Sequence, residues 1–402
     1  MRPVSRVDLV VAAVFCGVIG LGDVFYVAAT LSGRPTIGPT FNGLFPDFMV
    51  FYAATQAYFE GKLALVYDAH AFTQFQNTLF LPGHLQQPLL FRPFFYPPTW
   101  LLMLLPFGLL GLTKAYGVFM ALTAAAATAS EGRRDRWGWL AVVTSPAAVW
   151  VVLAGQNTFL SAALLYAGLR LLDRSPAVAG VLLGVLSYKP QVWVLVPLAL
   201  LAARQWHTLL WTIGTVAAMS LLSLAAFGFD FWLAFVEASR EAVSAPVVDE
   251  MFQRFFMHMT TLLAAARIAG LPPALAAVIQ LGGAALSIAA VWLAFRRPGN
   301  GEARIAVLVT ATFLVSPYTL NYDLLLLMPA AVALFRQATV AGFYPLERLV
   351  YPILWLIPTA CWVLNQIDLP ITPLVVLAFG AIAWMRLQAQ PKVELPSAVT
   401  AG

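Results

Sequence analysis

The sequence has few residues of the types that build metal centres, disulfide frameworks and soluble surfaces. Its 402 residues include two cysteines and four histidines, and only 10% are charged. Cys16 and Cys361 both lie within apolar runs, so we interpret them as packed core residues. The histidines are scattered, and no phosphate-cradling glycine loop or Ser-His-Asp spacing is present, so we expect no metal and no cofactor. The scarcity of charge excludes an ordinary soluble protein, because water-facing positions need charged side chains.

Apolar residues, in contrast, make up 61% of the chain, and the mean hydropathy is +0.82. Since a membrane-spanning helix needs about 20 apolar residues, the length allows roughly twelve spans and one or two sizeable loops. We therefore predict an all-α integral membrane protein in which residues 1–402 form a single polytopic domain. The net charge of +5 is small, and the basic residues lie at the ends of apolar segments. That distribution reports membrane topology and argues against nucleic acid as a partner.

The predicted first span covers residues 8–29 and follows Arg2 and Arg6, without a small-residue cleavage site after it. The other predicted spans are roughly 113–130, 137–154, 157–172, 177–188, 190–203, 208–228, 274–295, 303–316, 320–336, 348–364 and 370–386. Residues 30–112 and 229–273 form two predicted extracytoplasmic loops, the second ending in a surface helix at 259–269. Residues 388–402 form a predicted cytoplasmic tail.

The apolar run 98–106 decides the topology. As a span it would place the basic segment 131–136 outside, whereas as a short surface helix it places every short basic connection inside. The run is too short to cross ~30 Å, and the positive-inside rule also favours the surface helix. Both termini are then expected in the cytoplasm of a bacterium, with the chain in its inner membrane. The predicted spans 177–188 and 190–203 are also short, so the turn that contains Lys189 should lie inside the protein.

Several outer connections carry polar residues that could form one site. They are Asp47, Arg92, Tyr96, Gln156, Asn157, Lys189, Tyr322 and Asp323, and His258 in the second loop is a further candidate. Other interpretations remain open: Asp47 and the Gln156-Asn157 pair could cap helices, the tyrosines could be interfacial aromatics, and Arg92 could reach headgroups. An ammonium between two short apolar segments is costly without water or an anion, which singles out Lys189. Cations at headgroup depth suit a lipid phosphate, and a nearby carboxylate suits a general base.

The chain resembles glycosyltransferase family 87, whose members have the GT-C fold and use polyprenyl-phosphate sugars. Four stretches carry the likeness: Asp47 to Ala54 with Gly61 and Val66-Tyr67-Asp68; Tyr96-Pro97-Pro98 leading to Pro106; Gly155-Gln156-Asn157 with Gly180 to Gln191; and Ser316-Pro317 with Tyr322-Asp323. The resemblance implies that Asp47 is the base acting on the acceptor and that 98–106 is a juxtamembrane helix. It also implies a polyprenyl-phosphate hexose donor, such as a mannose donor, and inversion at the anomeric carbon.

Under this interpretation Lys189, with Arg92, holds the carrier phosphate, and Gln156, Asn157, Tyr322 and Asp323 position sugar or acceptor hydroxyls. The partners are a polyprenyl-phosphate sugar, a lipid or glycan acceptor and membrane lipids. Mycobacterial mannosyltransferases of that family have two histidines where this chain has Tyr322 and Asp323, so the acceptor stays open. The alternative is a transporter or lipid flippase, which the many spans and the buried Lys189 favour but the lack of repeated halves disfavours. A non-catalytic membrane scaffold would not gather Asp47 and Lys189 at one cavity.

Overall fold

A computed structural model of the chain describes residues 45–81, 83, 85, 88–89, 91–130, 136–244, 257–296 and 299–389. The predicted first span, 8–29, and nearly all of the predicted tail, 388–402, lie outside these residues. The described residues contain no β-strand, which confirms the all-α class, and Met259 and Leu320 form one isolated bridge.

The α-helices of the described residues are, in chain order, α1 (Pro46–Phe59), α2 (Ala69–Phe80), α3 (Pro98–Gly108), α4 (Leu112–Ser130), α5 (Arg136–Val143), α6 (Pro146–Ala154), α7 (Thr158–Arg170), α8 (Pro176–Val185), α9 (Pro190–Trp193), α10 (Val196–Ala202), α11 (Trp206–Phe227), α12 (Phe229–Ser244), α13 (Leu262–Ile268), α14 (Pro273–Phe295), α15 (Gly301–Val315), α16 (Leu327–Ala341), α17 (Glu347–Gln366) and α18 (Thr372–Gln388). Short 3₁₀ helices cover Leu63–Leu65, Leu186–Tyr188 and Asn321–Leu326.

Four helices in the described ranges are long and apolar enough to cross a membrane: Trp206–Phe227, Pro273–Phe295, Asn321–Ala341 and Glu347–Gln366. The number rises to five if α3 and α4 count as one broken span, although these two helices meet at 116°. That angle makes α3 a separate helix and not the beginning of α4. The C-terminal end of α3 is held by α1, because the Gln56 side chain donates a hydrogen bond to the Gly108 carbonyl at 2.9 Å.

Two predicted spans are each divided into two helices, 190–203 into α9 and α10 and 137–154 into α5 and α6. The apolar run 137–154 breaks between α5 and α6, where Pro146 opens a new helix and the Ser145 hydroxyl accepts a bond from the Ala148 amide. Proline lacks an N–H and is favoured at the first position of a helix, so it ends one helix and begins the next without a lost hydrogen bond.

Helices α8 and α11 pack closely through two glycines one turn apart. A methyl group at Gly180 would lie 2.5 Å from the Thr208 carbonyl oxygen, and one at Gly184 would lie 2.5 Å from Cβ of Thr215. Small residues at this spacing let helix backbones approach, as is common between helices in membranes. The packing places the end of α8, with the Leu186–Tyr188 turn and Lys189, inside the protein, where Lys189 is 1% exposed. Sequence reasoning predicted this buried turn.

Candidate functional site

Asp47 lies in the first turn of α1, directly after a tightly anchored aromatic residue. Phe45 has a left-handed backbone (φ 44°), and its ring stacks on Tyr116 with centroids 4.0 Å apart. The Tyr116 hydroxyl in turn donates to the Val152 carbonyl at 2.7 Å, which ties the start of α1 to α6. The Asp47 side chain is partly accessible, and within the described residues its carboxylate accepts a single hydrogen bond, on Oδ2. It therefore does not cap its helix, which removes one of the alternative interpretations.

The donor of that bond is Gln156, which a glycine turn brings into the site. Gly155 ends α6 with φ 73°, and a methyl group there would lie 2.5 Å from Cβ of Phe48. A side chain would thus meet both backbone strain and a clash, which explains glycine at this position. The turn directs Gln156 inward, where it is 4% exposed and its Nε2 donates to Asp47 Oδ2 at 2.8 Å.

Gln156 makes three further hydrogen bonds. Its Nε2 also donates to the Tyr322 hydroxyl at 3.1 Å. Its Oε1 accepts from the Tyr96 hydroxyl and from the Asn157 backbone amide, both at 3.1 Å. One amide thus joins α1, the loop before α3, the α6–α7 turn and the 3₁₀ helix at Asn321–Leu326.

A buried ion pair forms the second half of the site. Lys189 Nζ lies 2.6 Å from Asp323 Oδ1, and it also donates to Asn157 Oδ1 at 3.1 Å and, at 3.4 Å, to the Thr158 hydroxyl. The Thr158 hydroxyl donates to the same Asp323 oxygen, and Asp323 Oδ2 accepts from the Leu320 amide at 3.1 Å. Lys189 and Asp323 are almost completely buried, so the two charges neutralise each other away from water.

The two halves meet at Asn157, whose backbone amide bonds Gln156 and whose side chain bonds Lys189. Lys189 Nζ also lies 5.8 Å from the centre of the Tyr322 ring. Asp47 and Lys189 therefore belong to one polar network without pairing directly. The Asn157 side chain does not cap α7, so the capping interpretation fails for this residue too.

Burial raises the pKa of Asp47 above that of an ordinary aspartate. The positive charge of Arg92, the hydrogen bond from Gln156 and the charge of Lys189 oppose this rise, while the negative charge of Asp323 adds to it. Burial lowers the pKa of Arg92, and the Asp47 charge counteracts that effect. A carboxylate with a raised pKa is a better proton acceptor near neutral pH, as general base catalysis requires.

Two of the predicted residues lie outside the hydrogen-bonded network. Arg92 is partly exposed, and its backbone is held by Gln76 and Thr73, but its charge acts on Asp47. The His258 ring stacks against Trp362, with centroids 6.4 Å apart, and burial lowers its pKa to about 4. His258 is therefore neutral at pH 7, and among the described residues it is linked to the site through its carbonyl, which accepts from the Asn321 amide.

Sequence reasoning missed Thr158 and the pairing of Lys189 with Asp323. A buried ammonium needs a counterion, and that requirement was the available signal, since Asp323 was already a candidate. Within the residues that the structure describes, no group of three or more His, Cys, Asp or Glu side chains could hold a metal ion. The geometry thus offers a partly accessible carboxylate, a nearby cation and a set of buried hydrogen-bonding groups.

Comparison with known protein families matches residues 94–317, more than half of the chain, to the model of glycosyltransferase family 87. The matched region contains Tyr96, Gln156, Asn157 and Lys189, whereas Asp47 lies before it and Asp323 after it. Comparisons with curated proteins and with solved structures give no significant match. The chain belongs to glycosyltransferase family 87 and is a membrane glycosyltransferase.

Proposed function

We propose that this enzyme transfers a hexose, such as mannose, from a polyprenyl-phosphate carrier to a hydroxyl group of a lipid or glycan on the extracytoplasmic side of the membrane. The reaction is of the GT-C type and inverts the anomeric carbon. The observation that carries the proposal is the hydrogen bonding of the Asp47 carboxylate. One of its oxygens is held by Gln156, and the other has no partner among the described residues and lies on a partly accessible side chain. That free oxygen is suited to take the proton of an attacking hydroxyl.

Arg92 is the cation best placed to hold the carrier phosphate. It is partly exposed, while Lys189 is buried and already neutralised by Asp323. A guanidinium suits phosphate because its donors match two phosphate oxygens at once. Lys189 then contributes to the electrostatics of the site and to the placement of Asn157, Thr158 and Asp323.

The proposed topology has about twelve spans, both termini in the cytoplasm and α3 at the outer surface. The helices that follow apolar segments predicted from sequence support it, namely α7, α11, α14, α15, α17 and α18. Membrane lipids would contact the apolar side chains that α11 and α14 expose, among them Leu210, Leu221, Val278 and Leu281. We further propose that this membrane is the inner membrane of a bacterium.

The test is sugar transfer by purified protein, given a panel of labelled polyprenyl-phosphate hexoses and a lipid extract. Asp47→Asn keeps the size of the side chain and an oxygen for Gln156, but it cannot take a proton. We expect transfer to fall by at least about 100-fold, the usual loss when a general base is removed. The matched control is Asp68→Asn, since Asp68 caps α2 by accepting from the His70 and Ala71 amides.

Asparagine caps helices about as well as aspartate, so the control should retain transfer within a few-fold. If Asp47→Asn transfers sugar nearly as well as the wild type, another residue must be the general base, and Asp323 is the first candidate. The absence of transfer from every donor in the panel by the wild-type enzyme would reject the proposed donor class.

A further inference from the structure

The orientation of the Gln156 amide is determined by its neighbours. The Asn157 backbone N–H can only donate, so the Gln156 atom 3.1 Å away must be the oxygen. The nitrogen then faces Asp47 and Tyr322, as the structure has it. Because the side chain is buried and all four of its hydrogen bonds are internal, it has no capacity left for a substrate.

This orientation sets the direction of the next hydrogen bonds. One hydrogen of Nε2 goes to Asp47 Oδ2 and the other to the Tyr322 oxygen. The Tyr322 oxygen is therefore an acceptor toward Gln156 and must donate its own proton elsewhere. In the described part of the chain, no acceptor for that proton is in place. Asp47 Oδ1 is likewise without a donor there, so the site presents one free acceptor and one free donor side by side.

The spacing of these two groups limits what can lie between them. Two acceptors on one amide nitrogen, each about 3 Å away and about 120° apart, are separated by about 5 Å, which is the expected distance between Asp47 Oδ2 and the Tyr322 oxygen. Asp47 Oδ1 is bonded to the same carbon as Oδ2, so it lies in the same neighbourhood. Inversion requires the base and the leaving phosphate to lie on opposite faces of the transferred sugar. Because Tyr322 shares the Gln156 amide with the base, we assign it to the acceptor side. Two hydroxyl groups on adjacent carbons are close enough to each other for one to meet Asp47 Oδ1 while its neighbour meets the Tyr322 hydroxyl.

We propose that Gln156 is a positioning residue which leaves Asp47 Oδ1 free to take the proton of the attacking hydroxyl and directs the Tyr322 hydroxyl to donate to a second, neighbouring hydroxyl of the acceptor. Tyr322 then favours an acceptor that carries a second hydroxyl group beside the attacked one. This inference rests on the proposed function and adds the roles of Gln156 and Tyr322 to it.

The test uses a labelled polyprenyl-phosphate hexose with octyl mannoside and its four monodeoxy analogues as acceptors. In the wild-type enzyme, loss of the attacked hydroxyl should abolish transfer, and loss of its neighbour should reduce transfer by at least about 10-fold. Tyr322→Phe should reduce transfer to octyl mannoside by a similar factor and make the neighbour-deoxy analogue as good an acceptor as the parent. Tyr52→Phe is the matched control, because its hydroxyl only donates to the Leu110 carbonyl, and it should preserve the discrimination.

Gln156→Glu tests the positioning role separately. A glutamate keeps an acceptor for the Asn157 amide and for Tyr96, but it loses both donations and brings a negative charge to Asp47. We expect transfer to require higher pH, with the acid limb of the pH–rate profile moved upward, while thermal stability shows that the variant is folded. The inference is overturned if Tyr322→Phe discriminates among the analogues as the wild type does, or if Gln156→Glu leaves the acid limb in place. Failure of the wild type to transfer to any acceptor would instead reject the proposed function.

Discussion

Replacement of Lys189 by methionine should destabilise the protein severely, because it would leave Asp323 buried without its counterion. Methionine fills a similar volume, so the loss is mainly electrostatic. Two donors to Asp323 would remain, the Thr158 hydroxyl at 3.1 Å and the Leu320 amide at 3.1 Å. Breaking a buried pair from one side costs about 3–5 kcal/mol, and the remaining donors place the expected loss near the lower end, about 3 kcal/mol.

The chain offers a matched control in Lys62 and Glu60, which lie 2.7 Å apart but have side chains 51% and 42% exposed. Lys62→Met should therefore cost less than about 1 kcal/mol. The assay is unfolding in detergent, with Lys189→Met, Asp323→Asn and the double variant forming a mutant cycle. The double variant should be more stable than the sum of the single losses predicts, because no charge stays unpaired. Equal losses for Lys189→Met and Lys62→Met, or simple additivity, would refute the ion-pair argument.

Two further predictions concern the glycine turn and the cation beside the base. Gly155→Ala should cost about 1–3 kcal/mol in unfolding experiments, because the new methyl group meets Phe48 at φ 73°, whereas Gly214→Ala, in open space on α11, should be neutral or stabilising by up to about 1 kcal/mol. Equal effects of Gly155→Ala and Gly214→Ala on the free energy of unfolding would contradict the argument that the turn at position 155 requires glycine. Asp47 must be deprotonated to act, so transfer is lost as pH falls through its pKa, which Arg92 lowers. Arg92→Met should therefore raise that pKa and move the acid limb of the pH–rate profile to higher pH, while Arg92→Lys should leave it nearly unchanged.

Much of the fold could be predicted because lipid imposes a simple rule on the sequence. A spanning helix must be apolar over most of its length, so the apolar runs that form α11, α14 and α17 could be recognised in the sequence. The division of 137–154 into α5 and α6 was missed, although Pro146 was its visible cause. Hydropathy stays high across the break, and a composition average does not detect a change of direction.

The candidate site was predictable in its members but not in its connections. Asp47, Gln156 and Tyr322 stood out as polar residues beside apolar segments, which is a local property. The bond from Gln156 to Tyr322 joins residues 166 positions apart, and the Lys189–Asp323 pair spans 134 positions. Such pairings depend on how the helices pack, and a single sequence contains no direct signal of that packing. The capping alternatives for Asp47 and Asn157 could be rejected only from the geometry.

The two carboxylates of the site have different surroundings, and this difference supports Asp47 as the base. Asp323 is buried, with Oδ1 bonded to Lys189 and Thr158 and Oδ2 bonded to the Leu320 amide. Both oxygens of Asp323 are therefore already engaged, and neither is open to an incoming hydroxyl group. Asp47 has one oxygen bonded to Gln156, one oxygen without a partner among the residues that the structure describes, and a pKa raised by burial. An enzyme that uses two carboxylates assigns their roles by such contrasts in environment. Here the buried pair stabilises the scaffold around the site, and the less constrained carboxylate is left to carry out the chemistry.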